Sequence, residues 1–179
     1  MKSRKYMKDY KLVHAIRPNG SIATCAEYTG KYYRFTADSN RINHARKLSV
    51  IFIALSWATY LIALLPAAYV SRVIYVIVPF VSTAIPLVFL SDSVLIFLRA
   101  KAPLKRETAD RISQGLPARS MIALIFASFS FLSFAVTAVL SHGDMRFGDI
   151  AFGVSSLCLC AFVAFIFRLK KDVRTALLD

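Results

Sequence analysis

Few residues in this chain are equipped for chemistry. Asp92, in the run Leu90-Ser91-Asp92-Ser93, is the one acidic residue inside a long apolar stretch. A carboxylate at bilayer depth is costly, so it either pairs with a cation or marks a proton or cation path. Arg99 follows seven residues later on nearly the same helical face, about 10 Å nearer the end of that stretch. Asp92, Ser91, Ser93 and Arg99 therefore form the candidate intramembrane polar site. Pairing of Asp92 with Arg99 or a nearby lysine is the first expectation, and a proton or cation site is the second. Pro79 and Pro86, also seven apart, share one face of the same stretch. Each removes an amide donor and can kink a helix, freeing carbonyls for Ser82, Thr83 or water.

The other reactive side chains form no constellation. Cys158 and Cys160 are two residues apart, so on a helix they face directions about 200° apart and do not suit one disulfide. Cys25 belongs to a segment expected in a reducing compartment. His14 and His44 show no metal-ligand spacing with Cys25, and His142 lies in a short turn beside Asp144 and Asp149, where solvation is the simpler expectation. There is no phosphate-cradling glycine loop, nucleophile elbow or zinc motif. No catalytic residue, cofactor or metal site is expected, which disfavours an enzyme.

The elements that position these residues follow from composition. Of 179 residues, 57% are hydrophobic, yet the formal net charge is +13. A soluble domain is nearer about 45–50% apolar, so the apolar and basic excesses must occupy different places. Four stretches, 48–69, 73–98, 121–140 and 150–169, are long enough to cross a hydrocarbon core of about 30 Å as helices. They lack the alternation of a barrel strand, and backbone groups in lipid must be satisfied within the segment. Basic residues then set the orientation. Segments 1–47, the loop 99–120 and the tail from Arg168 hold 21 of the 23 Lys and Arg, leaving only Arg72 and Arg146 elsewhere. Four spans place both termini on one side, and the charge bias makes that side cytoplasmic. The same basic flanks attract anionic lipid head groups. Lys31-Tyr32-Tyr33-Arg34-Phe35 interleaves cations and aromatics, but no nucleic-acid-binding signature accompanies it, and none is expected as a partner.

Within 1–47, three β-rich runs at 10–16, 21–28 and 31–36, separated by turns at Asn19-Gly20 and Thr29-Gly30, predict a small antiparallel meander. Such a sheet is too small to stand alone. From Asp38 to Lys47 the chain is expected to turn helical into the first span. In the loop, Leu104, Thr108, Ile112 and Leu116 recur at helical spacing after Pro103, and Gly115 with Pro117 predicts a stop, so a separate short interfacial helix is expected. Ser71 and Asp149 are expected N-caps, and Gly143 an expected helix stop. Gly153, Ser156, Cys160 and Ala164 place small residues along the fourth span, and Ala127, Ser130, Ser133 and Thr137 do so along the third, which predicts close helix packing.

The fold expected is mainly α, a polytopic membrane four-helix bundle of two antiparallel hairpins with a small cytoplasmic β-meander and a tail at 170–179. The expected function is non-catalytic: an accessory, scaffold or regulatory subunit of a membrane complex, binding a membrane-protein partner or its own copies, most naturally in the plasma membrane. The alternative is an oligomeric transporter or channel for a proton, cation or small solute, using Asp92 and the proline-kinked second span.

Overall fold

The computed structural model describes residues 4–16, 22–65, 73–140 and 146–178. The apolar stretches form four long helical runs, each long and apolar enough to cross a membrane. The first is α1 (Ser39–Leu64), which starts well before the apolar stretch, so 38–47 does lead helically into it. The second consists of α2 (Ile74–Ser82) and α3 (Ala84–Arg99), separated by a turn at Thr83. The third is α4 (Arg106–Asp110), which passes through a π-helical turn at Arg111–Gly115 into α5 (Leu116–Leu140), and the fourth is α6 (Phe147–Arg168). The connections at 66–72 and 141–145 lie outside the described residues. So do the Asn19-Gly20 turn, the expected N-cap Ser71 and the expected helix stop Gly143.

The expected separate loop helix is corrected. Gly115 and Pro117 do not stop the chain, and Arg106–Leu140 is one helical run of 35 residues. Pro117 has no N–H for the carbonyl four residues back, and the π turn lies directly ahead of it, where a widened turn lets the helix pass. A second correction concerns Asp149. The N-cap of α6 is Arg146, and Asp149 sits three residues inside, where its Oδ2 accepts the Arg146 backbone N–H at 3.0 Å. A carboxylate there satisfies an otherwise orphaned donor and opposes the positive end of the helix dipole.

Small residues let the helices approach. α6 packs against α1 and α5, while α2 and α3 pack on α5, and α3 also touches α1. On α1 the buried face carries Ala45, Ser49, Ser56 and Ala63. The Ser49 and Ser56 hydroxyls donate to the Ala45 and Phe52 carbonyls one turn back, so neither needs a partner on another helix. Ser156 on α6 does the same toward Phe152. Aromatic rings fill the middle. Tyr60 stacks on Phe80 at 4.8 Å between centroids, Phe80 meets Phe152 at 4.9 Å, and Phe152 meets Phe134 at 5.8 Å. The outward faces are apolar: Ile51, Leu55, Ile62, Val78, Ile85, Phe129, Val136 and Val154 are all exposed, a far larger apolar surface than soluble monomers present.

The strands lie at one end of this bundle. β1 (Tyr10–Ile16) and β2 (Ile22–Tyr28) form an antiparallel hairpin with Tyr10 opposite Tyr28. β3 (Tyr32–Phe35) does not extend it, which corrects the three-stranded meander. Instead β3 lies between β4 (Leu104–Lys105) and β5 (Thr175–Leu177), with Tyr33 opposite Leu104 on one side and Leu177 on the other. The alternation of β3 explains the choice. Tyr33 and Phe35 turn inward onto the core, Phe35 meeting Phe97 at 5.9 Å, while both backbone edges find partners at the helix ends. The chain leaves β2 through Thr29, whose N–H donates to the Asp9 carbonyl at 2.9 Å. The amino-terminal segment, the central loop and the tail thus meet in one three-stranded sheet, which defines the sheet end of the bundle.

Candidate functional site

Asp92 lies on α3 about two turns before its end, and its partner is Arg119, four residues into α5. Arg119 Nη1 donates to Asp92 Oδ2 at 2.7 Å, to Ser93 Oγ at 2.7 Å and to the Phe89 carbonyl at 3.0 Å. One guanidinium nitrogen therefore clamps the middle of α3 onto the start of α5. The pair is neutral as a unit and half open: the Asp92 side chain is 56% exposed and that of Arg119 32%. At such exposure the ion pair is an orienting contact with a modest share of the stability.

The expected set divides. Asp92 and Ser93 meet at Arg119. Ser91, one residue round the helix, faces α1, where it accepts a hydrogen bond from Trp57 Nε1 at 2.9 Å and donates to the Leu87 carbonyl at 2.8 Å. Arg99 is exposed in the last turn of α3 and makes no ion pair with Asp92. Arg119 was not among the candidates. Its only sequence signal is an arginine two residues before the third apolar stretch, at the depth where the descending second stretch carries Asp92.

Pro79 and Pro86 flank the turn at Thr83. Pro86 cannot supply an N–H to the Ser82 carbonyl, and the helix is interrupted there. The turn is closed locally: the Thr83 N–H approaches the Pro79 and Phe80 carbonyls at 3.2 and 3.1 Å, and its hydroxyl donates to the Pro79 carbonyl at 2.9 Å. Between this broken run and α5 a groove of about 480 Å³ opens sideways, lined by Ser82, Ile85, Pro86, Phe89, Arg119, Ile122 and Phe126. It is apolar along its length, with the guanidinium at one end.

On α6, Gly153 and Ser156 are buried, whereas Cys160 and Ala164 are half-buried. A Cβ on Gly153 would collide with the Phe134 ring, so the absence of a side chain seats that ring. The three cysteines are free, and among the described residues no group of His, Cys, Asp or Glu is placed to hold a metal ion.

The sheet end is fastened by aromatic and cationic groups. Arg46 lies over both the Phe35 and Phe97 rings and donates to the Ala100 carbonyl. Lys105 Nζ sits 5.7 and 5.5 Å from the Tyr10 and Tyr28 ring centroids. Tyr28 donates to the Lys31 carbonyl at 2.7 Å and accepts the Arg106 N–H at 3.0 Å, and burial pushes its phenol above the ordinary value. Tyr6 adds a hydrogen bond to Asp110 at 3.1 Å. These contacts hold the base of the β1–β2 hairpin on α4. No protein family, no curated protein and no solved structure matches the chain.

Proposed function

We propose that this chain is a non-catalytic integral membrane protein whose sheet end faces the cytoplasm and whose β1–β2 hairpin docks a partner, as an accessory subunit of a membrane complex. The hairpin carries the proposal. Leu12 and Val13 are exposed, Leu12 by 76%, and so are Lys11 and Thr24 to Glu27. Over 11–13 and 24–27 both faces of the two-stranded sheet are thus open, and its outer edges have no strand beside them among the described residues. An isolated hairpin is marginally stable, and free edges with apolar side chains recruit further strands or surfaces. The basic residues of the same end hold it against anionic head groups.

Photo-crosslinkers at Leu12 and at Glu27, in the full chain in native membranes, test the proposal. A discrete adduct with another membrane or membrane-associated protein is expected, lost in Leu12→Lys/Val13→Lys while the bundle stays folded. Adducts to lipid or water alone, with the chain purifying as a monomer, would contradict it.

A specific feature favours the transporter alternative: Arg119, the partner of Asp92, and the interrupted second run border the same groove. Within one copy the Tyr60–Phe80–Phe152–Phe134 rings fill the interior, so a path would run along the α3–α5 seam between copies. Reconstituted flux that is lost in Asp92→Asn with folding retained would support that alternative. Flux unchanged in that variant would remove Asp92 from it.

A further inference from the structure

The α3–α5 groove has a polarity that its packing role does not use. From Arg119 to Phe126 on one wall, and from Phe89 back to Ser82 on the other, it runs seven residues, about 10 Å along each helix. That is most of one leaflet's share of a hydrocarbon core of about 30 Å. Its walls are Ile85, Pro86, Phe89, Ile122 and Phe126, and its charge lies only at the sheet end.

Arg119 is the one charged residue of the lining, and Asp92, bonded to it at 2.7 Å, sets the opposite sign beside that end. All three hydrogen bonds of Arg119 leave from Nη1, so Nη2 and Nε have no partner among the described residues. Asp92 accepts through Oδ2, and its Oδ1 is likewise without a partner there. A guanidinium with open donors beside a carboxylate with an open acceptor matches a ligand carrying a phosphate and an ammonium close together. An anionic head group would gain from Arg119 but be repelled by Asp92, whereas a zwitterion satisfies both.

We infer that the groove seats one aminophospholipid from the leaflet at the sheet end. Its phosphate rests on Arg119, its primary ammonium on Asp92, and one acyl chain lies between Phe89 and Phe126. A primary ammonium is favoured over a quaternary one because it donates hydrogen bonds to the carboxylate. The inference requires only that the helices span a bilayer and is independent of the hairpin's partner.

The test is native mass spectrometry of the full chain in detergent, delipidated and titrated with phosphatidylethanolamine, phosphatidylcholine or phosphatidylglycerol of identical acyl chains. Wild type is expected to bind one phosphatidylethanolamine about tenfold more tightly than either other lipid, the equivalent of one good charge-assisted hydrogen bond. Ile122→Trp, which fills the groove from a lipid-exposed position, weakens it by about tenfold or more. Ile85→Trp does the same from the opposite wall should the first variant fail to fold. Asp92→Asn abolishes the preference over phosphatidylglycerol while leaving acyl-chain binding intact. Equal affinity of wild type for all three lipids, binding unchanged by both tryptophan variants, or a crosslink from Ile122 to a second copy would overturn the inference.

Discussion

Replacing Phe80 by Ala probes the reasoning about how the bundle holds together. Phe80 is fully buried on α2, stacked on Tyr60 at 4.8 Å with planes only 13° apart and tilted against Phe152 at 4.9 Å. In a soluble core, removing a phenyl group costs about 3–5 kcal/mol, part transfer and part cavity. Between membrane helices the transfer part shrinks, because lipid tails are as apolar as the core. What remains is dispersion contact and the two aromatic pairs, the pairs contributing about 0.5–1.5 kcal/mol each. Phe80→Ala should therefore cost about 2–4 kcal/mol and Phe80→Leu about 1–1.5 kcal/mol. The loss should be coupled to Phe152→Leu by about 0.5–1.5 kcal/mol in a double-mutant cycle. Reversible unfolding in mixed micelles, followed by circular dichroism and by near-ultraviolet signals from the rings, provides the measurement. A cost below about 0.5 kcal/mol for Phe80→Ala, with no coupling, would refute the packing described, because no relaxation of a close-packed interior leaves a lost phenyl group unnoticed.

Other expectations follow from single contacts. Asp92→Asn and Arg119→Gln should each lower stability by about 0.5–1.5 kcal/mol and couple by about 0.5–1 kcal/mol, discounted for the exposure of the pair; the same micellar unfolding assay reads this, and strict additivity would separate the two residues. Gly153→Ala should cost about 1–2 kcal/mol, because its Cβ would displace the Phe134 ring toward the neighbouring groove formed by Phe131, Ile150, Val154 and Leu157. In a Phe134→Leu background the same change should become nearly neutral. Tyr28→Phe removes the hydroxyl that joins Lys31 to Arg106 and should speed amide exchange in β1 and β2 and at Arg106 while leaving exchange in α1, α2, α3, α5 and α6 unchanged.

The long elements were legible because their signal is repeated over many residues. Apolar runs too long for anything but helices marked four regions, and the helical lead-in from Asp38 was readable from its continuity with the first run. Two features were misread because tertiary contacts outweighed local signals. Gly115 and Pro117 look like a stop, yet a π turn ending at Gly115 carries the helix on through Pro117, since Ile112 within that turn and Leu116 just after it are buried and hold the axis. β4 and β5 have two and three residues, too few to show any alternation, so the true neighbours of β3 could not be read along the chain. The polar site shows the same division. Asp92 stood out as a lone carboxylate, but sequence spacing favours a partner on the same helix, and Arg119 reaches it only because α3 and α5 are rotated to face one another. Nothing local encodes that rotation; it follows from the buried faces of both helices together.

The central claim is a four-span membrane protein whose amino-terminal segment, central loop and tail share the cytoplasmic side. Single-cysteine labelling tests it most directly. In a chain with Cys25, Cys158 and Cys160 replaced by Ala, cysteines at Arg34, Lys105 and Ala176 should resist a membrane-impermeant maleimide in intact cells and react in inverted vesicles. A cysteine at Arg72 should show the reverse. Labelling of Lys105 and Ala176 from opposite sides would contradict the account outright, because β3 pairs with both strands in one sheet.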